Sequence, residues 1–541
     1  MLRVLPADFS KECRPSPNEG FGLPHSPGLP QWAVCVTGFG LRLSLSAEAP
    51  EAEPAGSLPL AAEEPAPNRV DGDSSARPYD IIVLGATGFT GRLIVEHLDA
   101  LLAQPEAQGP RRRWAVAGRN AARLQALASH CRTAPAVLVT ASQAELDQAV
   151  AQCHVLLAAA GPFVACGEAV VRACVAAGTH YIDVSGETTW IHDMISRYHE
   201  EAKRKGVLVV HCAAQVCAVD EINCYLLARK LGPLKQFREY FFQYGGTTGG
   251  TLGTSVATLE GLTPDTFRVF SDPFSLGGRR DCGLRDGDMD CACAEQDSIF
   301  SSVWLQPAYS SHTGARVIRR SCQLFEEARL SDGVGPPISY GANLSVVIRE
   351  GALSKRSADQ AVLMAGPPAS PEAAKAAARA MSEQISLGNV PRPGEGPPPE
   401  TRALYYSEVF AVAEAEDGRW GHVHYTGPEA YEVTAMASVA GALVLVEEID
   451  LIQPGERGGV VTPAFAFHGT SWLQRLEACA FANGTGPESA EAPKRRMTFR
   501  LQEGKPSEET LREAVLRRSK SAAQAGAALA KGELRAWATP A

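Results

Sequence analysis

The heptapeptide Gly85-Ala86-Thr87-Gly88-Phe89-Thr90-Gly91 constrains the fold more than any other feature of the chain. It joins the apolar run YDIIVL (79–84) to a stretch at 90–102 that places Leu93, Ile94 and Leu98 on one helical face. A dinucleotide pyrophosphate needs a tight turn, close backbone approach and free N–H groups at a helix start. Gly85 permits the turn, Gly88 removes a side chain from the phosphate's path, and Gly91 lets helix and strand pack closely. Ala86, Thr87, Phe89 and Thr90 complete the expected cofactor-binding segment. An ordinary strand-to-helix turn uses the same glycines, so the pattern of the next 120 or so residues decides between the readings.

That pattern is an alternation of short apolar runs and helical stretches. Strands are expected at 112–118, 136–140, 154–160, 180–185 and 206–212, with helices at 121–129, 143–151, 167–177 and 189–205. Continuous Val/Leu/Ile/Ala strands separated by helices indicate a parallel sheet covered on both faces. The fold class is therefore α/β, with a Rossmann-type doubly wound parallel sheet at 79–212. Beyond it, 213–455 reads as a second, α+β mixed-sheet domain that binds substrate. Its strands are expected in QFREYFFQYG, ARVIRRSCQL (315–324) and YYSEVFAVAEAEDGRWGHVHYTG. The Pro- and Ala-rich run 366–401 reads as a surface loop inserted around a helix at 372–385. Residues 482–541 read as a polar linker and a basic, Ala-rich helix.

Charge sharpens the boundaries. The chain carries 51 Lys and Arg against 61 Asp and Glu, a net charge of -10. Seven of the acids and one base lie within 48–76, so this stretch supplies -6 and everything else only -4. Residues 1–78 also hold 12 of the 37 prolines and no apolar periodicity, and are expected to be disordered. An acidic balance argues against nucleic acid as a partner. Fourteen scattered cysteines read as free thiols in a reducing compartment. The apolar run 436–446 is about half the ~20 residues of a membrane span and reads as a core helix. With no signal-peptide pattern at the start, the expected location is intracellular and cytoplasmic.

The second strand's end bears on which cofactor binds. NAD sites place Asp or Glu there for the ribose 2′-hydroxyl. Here Ala117-Gly118-Arg119-Asn120 offers no carboxylate, and Arg119 suits a 2′-phosphate, favouring NADP over NAD. A solvated surface arginine is the competing reading. The turn Ala160-Gly161-Pro162 ends the fourth strand, where nicotinamide and its ribose sit in such folds; a plain turn is the alternative. GATGFTG also suits short-chain dehydrogenases, which need a Tyr with Lys four positions later. None of the twelve tyrosines has one; Tyr198 and Lys203 are one residue too far apart.

YDIIVLGATGFTGRLIVEHL, WAVAGRN, AAAGPF and HYIDVSGE resemble the saccharopine dehydrogenase-like oxidoreductases, a family that includes bacterial trans-acting enoyl reductases. The resemblance continues through GGTTGGTLGTSVATLEG (245–261), DPFSL (272–276), ARVIRRSCQL (315–324), EAEDGRWGHVHYTGPEAYEVTAMA (414–437) and GGVVTPAFAFHGTSWLQRLEA (458–478). It covers roughly residues 79–481. It implies a Rossmann domain, a mixed-sheet domain and a return of the chain to the first domain at 456–481. It also implies NADP-linked reduction of a C=C bond on a lipid-linked substrate, or of a C=N bond as in saccharopine dehydrogenases proper. Animal relatives imply contact with lipid droplets or a membrane periphery, and a homodimer is compatible with the family. One phrase departs from the family: Ala213-Ala-Gln-Val-Cys-Ala-Val-Asp220 retains only the final Asp of the usual Gly-Phe-Asp-Ser-Ile-Pro-Ser-Asp.

Catalytic candidates emerge from position. Asp183 and Glu187 lie at the fifth strand's carboxyl end, where open α/β sheets bind ligands; capping the helix near Thr189 is their structural alternative. Arg319 and Arg320 suit a carboxylate or phosphate clamp, or a strand-surface ion pair. Tyr244, before the Gly/Thr-rich loop, is a substrate contact or a core aromatic. Cys282, Cys291 and Cys293 lack the second ligand pair of a zinc site, so no metal is expected. Asp286, Asp288 and Asp290 read as a solvated loop. Two function classes remain: an NADP-dependent reductase of an apolar substrate, and a catalytically weak NADP-binding scaffold or regulator.

Overall fold

The computed structural model describes residues 77–104, 112–279, 283–285, 287–329, 337–452, 458–481 and 496–538. The acidic segment before 77, most of the loop after the first helix, Cys282, Asp286 and the linker at 482–495 lie outside the described residues.

Six strands open the chain: β1 (Tyr79–Leu84), β2 (Trp114–Gly118), β3 (Ala136–Val139), β4 (Cys153–Ala158), β5 (His180–Asp183) and β6 (Leu208–Val210). Six of the next eight form most of a second sheet: β7 (Leu234–Phe241), β8 (Glu295–Gln296), β9 (Trp304–Gln306), β10 (Ser345–Ala352), β11 (Ser407–Ala415) and β12 (Trp420–Gly427). The last two are β13 (Gly459–Val461) and β14 (Thr498–Glu503).

The first sheet runs β3-β2-β1-β4-β5-β6-β13 and is parallel throughout. Its first six strands have the doubly wound order, which reverses between β1 and β4. Leu84 pairs with Ala158, so the turns after these two strands emerge side by side. β13 adds to the β6 edge after the chain has left for the second sheet. The second sheet, β14-β12-β11-β7-β10-β9-β8, is mixed: β7 and β10 are parallel and the other pairs antiparallel.

One apolar core crosses both sheets, from Ile81, Val83 and Val155 to Phe237, Val409 and Val423. Helix Ala430–Glu447 sits inside it, packed on helix Phe89–Leu102 and on β4. By length and composition that helix could cross a bilayer, but Val433 through Leu445 are buried within the protein.

The expected strand at 315–324 is instead the middle of helix Ser311–Ala328. Ala315, Ile318, Leu324 and Phe325 form its buried apolar positions, and the interruption by buried arginines hides the helical period. Arg316 pairs with Asp290 at 3.1 Å and Arg319 with Asp288 at 3.2 Å. Asp288, buried, and Asp290, half-buried, are therefore counter-ions and not part of a solvated loop. The 366–401 segment forms helix Pro371–Leu387, packed on helix Gly249–Glu260. Helix Glu508–Ala530 docks on the second sheet through Leu511, Ala514 and Val515.

Candidate active site

The turn after β1 shows why its glycines are needed. Gly85 has φ +82°, and a Cβ there would stand 2.7 Å from the Ala160 nitrogen. A Cβ on Gly91 would lie 2.1 Å from the Gly85 carbonyl oxygen, so helix Phe89–Leu102 could not seat on the turn. Gly88 is the helix N-cap and brings no capping side chain. The first-turn N–H groups, which have no carbonyl within the helix to bond, are thereby left for a ligand. Arg92 donates to the Thr87 carbonyl at 3.1 Å, stiffening the turn. This cradle fits a dinucleotide pyrophosphate.

A cleft of about 1760 Å³ runs from this turn between the two sheets. Gly85, Thr87, Gly88, Phe89 and Thr90 line one end, with Arg119, Ala160, Gly161, Pro162, Glu187 and Tyr244 also on its walls. Ala86 and Gly91 pack behind it. Arg119 is exposed at the end of β2, beside Thr140, Ser142 and Gln143. The neighbouring Asn120 is occupied, accepting the Arg123 N–H to cap helix Ala121–Ser129. The Glu145 carboxylate is likewise spent on the N–H groups of Ala141 and Ser142. Cationic and neutral groups therefore face a bound ribose 2′-position.

Glu187 is buried yet reaches the cleft. Its carboxylate accepts the N–H groups of Phe163 at 2.7 Å and Val164 at 2.6 Å. It thus caps helix Phe163–Ala177, whose own N-cap Pro162 provides no side-chain bond. It makes no such bond to the helix directly after it, Thr188–Lys205. Burial pushes its carboxyl up to about 7, against the pull of the two amides.

Asp183 and Arg320 lie outside the cleft lining. Asp183 is fully buried and accepts from Tyr181, Ser185, His211 and the Cys212 N–H, tying β5 to β6. Arg320 reaches His199 and the Val460 carbonyl, fastening helix Ser311–Ala328 to β13. Arg319 is held by the Pro273 carbonyl and Asp288. Tyr244 pairs through its backbone with Tyr406 and packs edge-on against Tyr405, leaving part of its surface on the cleft.

The opposite wall holds residues that no sequence pattern singled out. Thr248, Thr251, Tyr309, His312, Tyr431 and Thr434 all line it. The Thr251 and Tyr431 hydroxyls are 2.6 Å apart, and the Thr248 N–H donates to the Tyr431 oxygen at 3.1 Å. Tyr309 lies within reach of the Thr251 hydroxyl and remains 45% exposed, its surface opening into the cleft. His312 is committed on both nitrogens, to Thr188 at 2.9 Å and Asp290 at 2.9 Å. The altered phrase after β6 places Ala214, Gln215 and Val216 on the cleft wall, while Asp220 is buried beside Glu239.

Residues 81–210 match the model of the saccharopine dehydrogenase NADP-binding domain. A trans-acting enoyl reductase of Mycobacterium bovis is 26% identical over 443 residues, covering 76% of this chain and 98% of the relative. The trans-acting enoyl reductase of Mycobacterium ulcerans is 27% identical over 74% of this chain and 96% of its own length. An apo saccharopine dehydrogenase (L-Glu forming) from Saccharomyces cerevisiae aligns with 79% of this chain and 100% of its own, at 13% identity and a TM-score of 0.42. With a saccharopine dehydrogenase NADP-binding domain over residues 81–210 and NADP as its cofactor, the chain is an NAD(P)-dependent oxidoreductase similar to the trans-acting enoyl reductases.

Proposed function

We propose that the protein uses NADPH to reduce a carbon–carbon double bond conjugated to a carbonyl, on an apolar, lipid-linked substrate. The observation that carries this reading is the continuity of the cleft. At about 1760 Å³ it exceeds the roughly 300–1,000 Å³ of a typical small-molecule site, leaving room for a substrate beside a dinucleotide. Its outer walls include Leu259, Phe270, Ala361, Met364 and Ala522, which suit an alkyl chain. The enoyl reductase relatives supply the bond type.

The residues that hold the cofactor are those of the phosphate turn, Arg119 at the 2′-phosphate, and Ala160-Gly161-Pro162 near the nicotinamide. Bound NADPH supplies a hydride. Glu187 holds the start of helix Phe163–Ala177 in place beside that ring, and the Thr/Tyr wall orients the substrate. Incubation with NADPH and trans-2-enoyl thioesters of four to sixteen carbons, monitored by loss of nicotinamide absorbance, tests the reading. Turnover that favours the longer chains is expected. NADPH binding with no turnover of any chain length would favour the catalytically weak scaffold instead.

A further inference from the structure

Reduction of a conjugated enoyl group needs a proton donor at the carbonyl as well as a hydride at the β-carbon. Several hydroxylic or acidic groups face the cleft, and most are already committed. Both Glu187 oxygens accept backbone amides. Both His312 nitrogens are hydrogen-bonded. Tyr431 accepts the Thr248 N–H and shares a hydrogen bond with Thr251. Tyr309 differs: it lines the cleft near Thr251, and nearly half of its surface opens into that cleft.

Its position is fixed from both sides. Tyr309 sits two residues before helix Ser311–Ala328, next to its N-cap Ser310, and the first turn of that helix is tied to the loop after β5. The Thr313 hydroxyl donates to the Gly186 carbonyl at 2.9 Å, and His312 meets Thr188. Tyr309 is therefore carried by a rigid helix start beside the carboxyl ends of β5 and β6, the end of an open α/β sheet at which ligands bind. From the other side it neighbours Thr251, which Tyr431 ties to Thr248 at the N-terminus of helix Gly249–Glu260. With the ordinary tyrosine pKa of about 10, the phenol is protonated through the neutral range, the form able to donate.

We propose that Tyr309 is a catalytic residue that donates its hydrogen bond, and then its proton, to the carbonyl oxygen of the enoyl substrate, with Thr251 as its positioning residue. This rests on the reductase reading. The hydride's electron pair forms the new C–H bond at the β-carbon, and the π pair moves toward the carbonyl oxygen. The Tyr309 O–H bond breaks as that oxygen takes the proton, giving an enol. The enol then gains a solvent proton at its α-carbon and returns the oxygen-bound proton to the phenolate. One hydride and one solvent proton are consumed, and Tyr309 is restored. A donor aimed at the developing oxyanion contributes about 10²–10³ in rate.

The test uses the full chain with trans-2-octenoyl pantetheine labelled with ¹³C at the carbonyl. With NADP⁺ bound no reduction occurs, and the infrared carbonyl band reports hydrogen-bond donation directly. The wild-type protein is expected to lower the band frequency, and Tyr309→Phe to abolish that shift. With NADPH, Tyr309→Phe is expected to lower kcat at least ~100-fold, while NADPH affinity by fluorescence titration stays within about threefold. Thr251→Val is expected to weaken the shift without removing it. Should Tyr309→Phe fail to bind NADPH, the shift in Thr251→Val decides, and an unchanged band there overturns the assignment. A band shift and kcat that survive in a folded Tyr309→Phe overturn the role of Tyr309 and leave the reductase reading standing. Failure of the wild-type protein both to bind and to reduce the thioester overturns the reductase reading, and the role of Tyr309 with it.

Discussion

At the scale of single residues, the cofactor end of the cleft rests on local chemistry. Arg119 comes directly after the last residue of β2, and the Glu145 carboxylate near it is spent on backbone amides, so a 2′-phosphate is its natural partner. Arg119→Ala is expected to weaken NADPH binding by about tenfold to hundredfold, the worth of a charge-assisted hydrogen bond, while leaving NADH binding unchanged. Parallel fluorescence titrations measure both, and equal losses for the two cofactors would sink the assignment. The sequence exposes this end because turn, strand end and ligand contact occur within a few residues of one another. Glu187 shows where locality stops helping. Its placement after the fifth strand marks it as a cap or an acid, but the helix it caps begins 24 residues earlier, and only the packed sheet brings the two together. Thr251, Tyr309 and Tyr431 come from three separate elements, and no spacing along the chain relates them.

Secondary-structure elements show the same division. The alternating strands and helices of the first sheet are legible because each strand is buried on both faces and each helix has one apolar stripe. Helix Ser311–Ala328 is not, because three buried arginines interrupt its stripe and only their buried partners explain them. The C-terminal helix Glu508–Ala530 reads as merely basic, yet its Arg518 pairs with Glu350 on the cleft wall, where Gln306 also donates to Glu350 at 3.0 Å. Arg517 pairs with Glu408 at 2.9 Å. Further on, Ala538 pairs with Gly396, which packs against Phe89 of the phosphate turn. The helix therefore forms part of the cleft wall, through Arg518, Ser519, Ala522 and Ala523. Removing Arg518 alone leaves the Glu350 carboxylate largely buried without its cation. Arg518→Ala is expected to cost about 2–3 kcal/mol in urea unfolding, and the double variant Arg518→Ala/Glu350→Gln to recover at least half of it. Single and double variants of equal stability would show that the pair does not hold the helix in place.

For the whole molecule, the joining of two sheets over one core buries carboxyl groups that set how stability depends on pH. Burial raises Glu187 and Glu221 to about 7 and Glu429 to about 8. It also raises Asp220 and Glu239, which press on one another beneath the cleft. An acid whose pKa is higher folded than unfolded holds its proton more tightly in the native state. Its contribution is complete below about pH 4.5 and is lost as pH rises through the folded value. Histidines act in the opposite sense. Burial lowers His97 to about 4 and lowers His312 as well, so their contribution is present above about pH 6.5 and is lost as pH falls. Between pH 4.5 and 6.5 the two groups oppose each other, and above 6.5 only the carboxyls act. Stability is therefore expected to fall between pH 6.5 and 8.5, with about 2 kcal/mol of the fall from Glu429 alone, at roughly 1.4 kcal/mol per unit of pKa. Glu429 caps helix Ala430–Glu447 by accepting the N–H groups of Tyr431 and Glu432. A glutamine there retains a capping oxygen and cannot ionise, so Glu429→Gln should lessen the decline by about 2 kcal/mol while preserving the helix. Urea unfolding at constant ionic strength across this range measures both slopes, and a wild-type protein equally stable at pH 6.5 and 8.5 would refute the assignment of the cost to these buried carboxyls.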